Sequence, residues 1–178
     1  MRIVFDLDGT LVHTREAVRH AYRLAGVEMP EDAHGKPFHE WCDDNVIHQR
    51  KHIYYPAMVK CHAKRTTLFE ECLRRDMCID VITGASMDAV STLRNLQFLP
   101  WKRVQVHAWS LNVVQKIDWL ARHGWGLYVD DDISTRVLTR ELTTWKVLSP
   151  EECVRLFLQL GPTQELTRSL LHLENLSS

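Results

Sequence analysis

Met1-Arg2-Ile3-Val4-Phe5-Asp6-Leu7-Asp8-Gly9-Thr10-Leu11 opens the chain with a short apolar run, two carboxylates two residues apart and a Gly-Thr turn. Residues i and i+2 of a strand lie on one face. Where the strand ends and the chain turns, Asp6 and Asp8 can therefore converge. Two acids held together repel, so the pair needs a cation, a shared proton or strong donors. Mg²⁺ suits that need, because it binds through one or two carboxylates together with substrate phosphate.

Working outward, the apolar pattern alternates between short runs and helical stripes. Thr14 is placed to cap a helix ending at Gly26, with Ala17, Val18, Ala21, Leu24 and Ala25 on its apolar side. Pro30, Gly35 and Pro37 mark a loop, and an irregular helical stretch follows from Phe38 to Lys64, interrupted by Pro56. Beyond it the pattern predicts a helix at 66–76, a strand at 78–82, a helix at 87–96 and a strand at 103–108. A helix at 112–123, a strand at 126–129, a helix at 133–142 and a strand at 144–148 complete the series. Strands spaced by helices predict an α/β fold, a Rossmann-like parallel sheet with helices on both faces. Ligands of such sheets bind beyond the carboxyl ends of the strands, which is where Asp6, Asp8, Thr83, Asp130 and Asp131 fall. The tail from Pro150 to Ser178 reads as two short amphipathic helices around Gly161-Pro162 that cover the sheet or mediate self-association.

The totals bound the function. With 178 residues the chain has room for one domain and a small insertion. A formal net charge of −1 supplies no global attraction to nucleic acid or an anionic membrane. Five cysteines, an odd number with no Cys-x-x-Cys pair, argue for reduced thiols in a cytoplasmic protein. Cys72, Cys78 and Cys153 sit in apolar company and are expected in the core, and Trp101, Trp109, Trp119, Trp125 and Trp145 are expected to serve packing. Asp6 and Asp8 interrupt the opening apolar run too soon for a signal peptide. No stretch approaches the roughly 20 apolar residues that span a bilayer.

Asp6-Leu-Asp8-Gly9-Thr10 resembles the first motif of the haloacid dehalogenase superfamily of phosphotransferases. Thr83 after the 78–82 strand, Lys116 on the helix that precedes Asp130, and Asp130-Asp131 follow in the order of that superfamily's remaining motifs. The spacing from Lys116 to Tyr-Val-Asp130-Asp131 resembles its nucleotidase-like members. The resemblance implies that Asp6 is the nucleophile, forming an aspartyl-phosphate. It implies that Asp8 protonates the leaving oxygen and then activates water. Thr83 would bind the phosphoryl group and Lys116 would neutralise charge on the nucleophile. Mg²⁺ would be held by the Asp6 carboxylate, the Asp8 backbone carbonyl and Asp131, with Asp130 a further direct or water-mediated ligand. Thr10 and Gly84, in the turns beside these residues, count among the substrate contacts. Asp132 is expected to cap the following helix.

The segment after the first motif resembles the small helical cap of phosphoglycolate-phosphatase and β-phosphoglucomutase relatives. The resulting organisation is a core of residues 1–12 and 66–149, a cap of 13–65 and a tail of 150–178. Residues 48–65 carry Arg50, Lys51, Lys60, Lys64 and Arg65 with three histidines and no acid. Arg50, Lys51 and the loop residue Lys36 are read as recognising an organic phosphate, including a nucleotide that Tyr54 and Tyr55 would stack on, or as a solvated helix face. His48 and His52 lie four apart, but no further ligand cluster supports zinc. The expectation is a Mg²⁺-dependent phosphatase of a small phosphomonoester, with a phosphosugar mutase or a non-catalytic binding or regulatory module as alternatives. A polynucleotide end is a lesser variant of the same chemistry, disfavoured by the near-neutral charge.

Overall fold

The computed structural model describes residues 2–33 and 41–160. Its centre is a five-stranded, all-parallel sheet in the order β5-β4-β1-β6-β7. The strands are β1 (Arg2–Phe5), β4 (Ile79–Ile82), β5 (Val104–Ala108), β6 (Gly126–Val129) and β7 (Lys146–Leu148). β1 lies in the middle, paired with β4 through Val4↔Asp80 and with β6 through Phe5↔Val129. The strand order reverses across β1, which opens a crevice at the carboxyl ends of β1, β4 and β6.

Helices cover both faces, as parallel strands require. Phe5, Ile79, Val81 and Val104 point to one side, where α3 (Thr67–Arg74), α4 (Met87–Asn95) and α7 (Pro150–Leu160) bury Phe69, Cys72, Leu93, Cys153 and Phe157 with them. Val4, Ile82, Tyr128, Trp145 and Val147 form the opposite layer with Leu120 of α5 (Val113–Arg122). α6 (Ile133–Leu142) is started by Asp132, whose side chain accepts the Thr135 N–H at 2.6 Å. α4 and α5 are likewise capped by Ser86 and by an Asn112–Gln115 box. α7 is thus part of the core. The second half of the predicted tail, from Gly161, lies outside the described residues.

Between the Asp6–Leu11 turn and α3 sits a helical insertion. The ribbon of β2 (Val12–His13) and β3 (Lys64–Arg65) joins its two ends, pairing Val12 with Arg65 and His13 with Lys64. α1 (Arg15–Ala25) and α2 (Asn45–His62) pack on each other beyond the ribbon. Ala17, Ala21, Tyr55, Val59 and Ala63 of the insertion are continuous with the buried cluster of the sheet.

Several local expectations need correction. α2 runs unbroken through Pro56, which is exposed. Asp44 accepts the Val46 N–H at 2.8 Å, so α2 begins well after Phe38. Thr14 stands at the start of α1 with a helical backbone and makes no side-chain cap bond; its hydroxyl donates to the Asp8 carboxylate. Leu24 points outward and is 51% exposed. Cys78 is exposed, as are Trp101, Trp109 and Trp125. Among the tryptophans expected to pack, Trp145 is fully enclosed, its indole N–H donating to the Leu120 carbonyl.

Candidate active site

The site is assembled at the carboxyl end of β1, where Asp6 is the first residue after the strand. Its N–H donates to the Val129 carbonyl at 2.8 Å, which fixes the backbone beneath a buried carboxylate. The chain then folds into a tight turn, with the Leu11 and Val12 N–H groups returning to the Leu7 carbonyl. Gly9 stands in that turn at φ +81°, a region that only glycine enters freely. A Cβ at Gly9 would fall on the Asp131 carboxylate, so glycine also makes room for that acid.

The Asp6, Asp130 and Asp131 carboxylates each place an oxygen within 4.8 Å of the others. Lys116, one turn before the buried Leu120 on α5, projects into this group. Its Nζ donates to Asp6 Oδ1 at 2.7 Å and to Asp130 Oδ2 at 3.2 Å. Asp130 is buried, and its carboxylate also accepts from the Tyr128 hydroxyl at 2.6 Å on Oδ2 and the Asp132 N–H at 2.8 Å on Oδ1. Asp131 is anchored by Thr10, whose hydroxyl accepts the Asp131 N–H at 3.0 Å and donates to its carboxylate at 3.3 Å. Thr10 thus contacts a candidate metal ligand.

Electrostatics follow from this crowding. Burial drives the Asp6 carboxyl upward; Lys116 opposes the rise and Asp130 adds to it. Burial works against the Lys116 charge, but Asp6 and Asp130 outweigh it and hold the ammonium. Desolvation and the charge of Asp130 raise Asp131 as well. Three carboxylates against one ammonium leave an excess of negative charge among hard oxygen donors, and that donor set fits a divalent cation such as Mg²⁺.

The other predicted residues surround this centre. Thr83, buried after β4, accepts the Ala85 N–H on its hydroxyl at 3.0 Å, and its turn is tied to the β5 loop through Leu111 N–H to Thr83 O. Gly84 is exposed beside it, and a Cβ there would meet the Leu111 carbonyl at 3.1 Å. Asp8 turns its carboxylate towards the insertion and Thr14. Arg50 is exposed on α2, whereas neighbouring Lys51 is buried, resting over the rings of Tyr55 at 4.7 Å and Tyr22 at 5.5 Å. No carboxylate pairs with Lys51 among the described residues. Burial brings it down to about 8, partly offset by Asp8 and Asp88. Lys36 lies outside the described residues. Tyr128 escaped the sequence reading because a tyrosine in an apolar strand resembles packing; its signal was the i, i+2 relation to Asp130.

No family model and no curated protein matches the sequence. Solved structures do. A haloacid dehalogenase-like hydrolase from Streptococcus pneumoniae is 16% identical, with a TM-score of 0.54 over 87% of this chain and 97% of its own. CbbY from Rhodobacter sphaeroides, solved with phosphate and as a mutant with xylulose-(1,5)bisphosphate, is 14% identical with a TM-score of 0.56, covering 83% and 84% of the two chains. A subfamily IA hydrolase of the same superfamily from Geobacter sulfurreducens is 14% identical with a TM-score of 0.52, covering 87% and 95%. The parallel sheet centred on β1 is the architecture shared with these proteins: the chain has the haloacid dehalogenase-like fold.

Proposed function

We propose that the chain is a Mg²⁺-dependent phosphomonoesterase that works through an aspartyl-phosphate on Asp6. The observation that carries this reading is the seating of Lys116 on Asp6 within a group of three converging carboxylates. Asp6 attacks phosphorus, and the bond to the leaving oxygen breaks as Asp8 gives that oxygen a proton. Asp8 then takes a proton from water, which hydrolyses the acyl-phosphate and frees Asp6. Lys116 and the Thr83 hydroxyl balance charge on the phosphoryl oxygens. Asp6, Asp131 and the Asp8 carbonyl would hold the cation, with Asp130 beside them, and the cation would supply further neutralisation of the transferred group.

Residues 13–65 act in this reading as a cap over the site. Lys51 is its reader: a buried ammonium without a carboxylate partner among the described residues, on the side of the insertion that faces Asp8. An anionic group on the substrate beyond the phosphate would satisfy it. The reading therefore points to a small metabolite carrying a phosphate and a second anion. CbbY, similar in fold, was solved as a mutant in complex with a ligand of that kind, xylulose-(1,5)bisphosphate. Among the described residues no helix is long and apolar enough to cross a membrane.

Phosphate release from a panel of sugar phosphates, phosphoglycolate and nucleoside monophosphates, with Mg²⁺ and with EDTA, tests the function. Metal-dependent release is expected. Isomerisation of a phosphosugar in place of release would favour the mutase alternative, and the absence of both would favour the binding module. Lys51→Met is expected to raise KM about tenfold or more for substrates that carry a second anionic group beyond the phosphate. The same change should leave an uncharged-arm ester such as an aryl phosphate within about twofold. Equal loss on both substrates would remove Lys51 from the recognition role.

A further inference from the structure

Asp130 is placed unlike the other acids. Its Oδ2 receives two donors, the Lys116 ammonium and the Tyr128 hydroxyl, while Oδ1 receives the Asp132 N–H. Tyr128 itself has no freedom. Its ring is fully enclosed by Val4, Ile82, Leu120, Trp145 and Val147, and its strand pairs in register with β1 through Tyr128↔Val4. Leu120 of that enclosure lies one turn after Lys116 on α5, so the same packing locates the lysine stem. The phenol oxygen is consequently a fixed point from which Asp130, then Lys116, then Asp6 are set in line.

We propose that Tyr128 is a positioning residue, whose hydroxyl turns the Asp130 carboxylate onto Lys116 and so holds the ammonium against the Asp6 oxygen. Tyr128 touches neither Asp6 nor Lys116 by a hydrogen bond, and acts through Asp130. Without the hydroxyl, Asp130 Oδ2 keeps Lys116 as its one donor and is free to rotate about the Asp132 N–H bond. Lys116 then shares its hydrogen bonds differently between two acids. The kinetic part of the inference rests on the proposed reaction at Asp6, whereas the placement of Lys116 does not.

Tyr128→Phe tests it in two ways. By ¹⁵N NMR without substrate, the Lys116 ammonium resonance should shift or broaden, while the Trp145 indole N–H, in the same apolar cluster, stays in place and certifies the fold. In turnover, kcat should fall about tenfold with KM within about twofold. Combined with Asp130→Asn, the tyrosine change should cost no further activity, as expected for two residues acting in series. An unmoved Lys116 resonance in the folded variant overturns the proposal, as does an unchanged kcat or full additivity with Asp130→Asn. If the wild type releases no phosphate but the Lys116 resonance moves, the positioning stands and the phosphatase reading falls. Should Tyr128→Phe not fold, Asp130→Asn alone must displace the Lys116 resonance, and failure to do so overturns the inference.

Discussion

Asp6→Asn is expected to abolish phosphate release, by at least about 10³-fold, while leaving the protein folded. The amide keeps the shape of the carboxylate, and its oxygen still accepts the bond from Lys116 Nζ now made to Asp6 Oδ1. The backbone under it stays tied through the Asp6 N–H to Val129. What disappears is the anion that attacks phosphorus. One of three converging acids is also neutralised, so affinity for the divalent cation should fall together with turnover. The measurement is single-turnover phosphate release beside a thermal melt. A melting temperature near that of the wild type with no release assigns the loss to chemistry. Retained release from a folded variant would show that Asp6 is not the nucleophile.

How much of this arrangement can be read in the sequence depends on whether the controlling forces are local. The run Ile3-Val4-Phe5 reads as a strand, and Asp132 announces its helix because capping is chemistry within three residues. The strand ends bearing Asp6, Thr83 and Asp130 were legible for the same reason. The contact of Lys116 with Asp6, across 110 residues, was accessible through the family resemblance and not through periodicity, since a helix lysine in isolation looks solvated. Lys51 lay in a basic stretch that offered no reason to separate it from Arg50. The burial of one and exposure of the other arise from the facing of α2 on α1, a tertiary choice. Thr14 shows the limit most sharply. Its position is that of a cap, yet its hydroxyl serves Asp8, six residues earlier, because the turn at Gly9 brings the acid within reach. The exposed Trp101, Trp109 and Trp125 mark the same boundary: composition suggests burial, and only the packed layers determine which rings are covered.

Gly9→Ala carries the second large expectation, and it connects backbone conformation to the cation site. At φ +81° an alanine is strained, which costs about 1 kcal/mol or more in stability. The added Cβ would also overlap the Asp131 carboxylate, a side chain held by both bonds to Thr10. Asp131 can relieve the clash only by leaving Thr10 or by swinging away from Asp6 and Asp130. Either movement breaks the three-carboxylate group. Mg²⁺ affinity, measured by calorimetry without substrate, should fall at least about tenfold, as displacement of a ligand or its support commonly costs. Turnover should fall with it and recover in part at high Mg²⁺, because the nucleophile and Lys116 remain in place. The recovery separates this variant from Asp6→Asn, which no concentration of metal can restore. A Gly9→Ala protein that binds Mg²⁺ as the wild type does would remove Asp131 from the cation site and leave Asp6 and Asp130 as its carboxylate ligands.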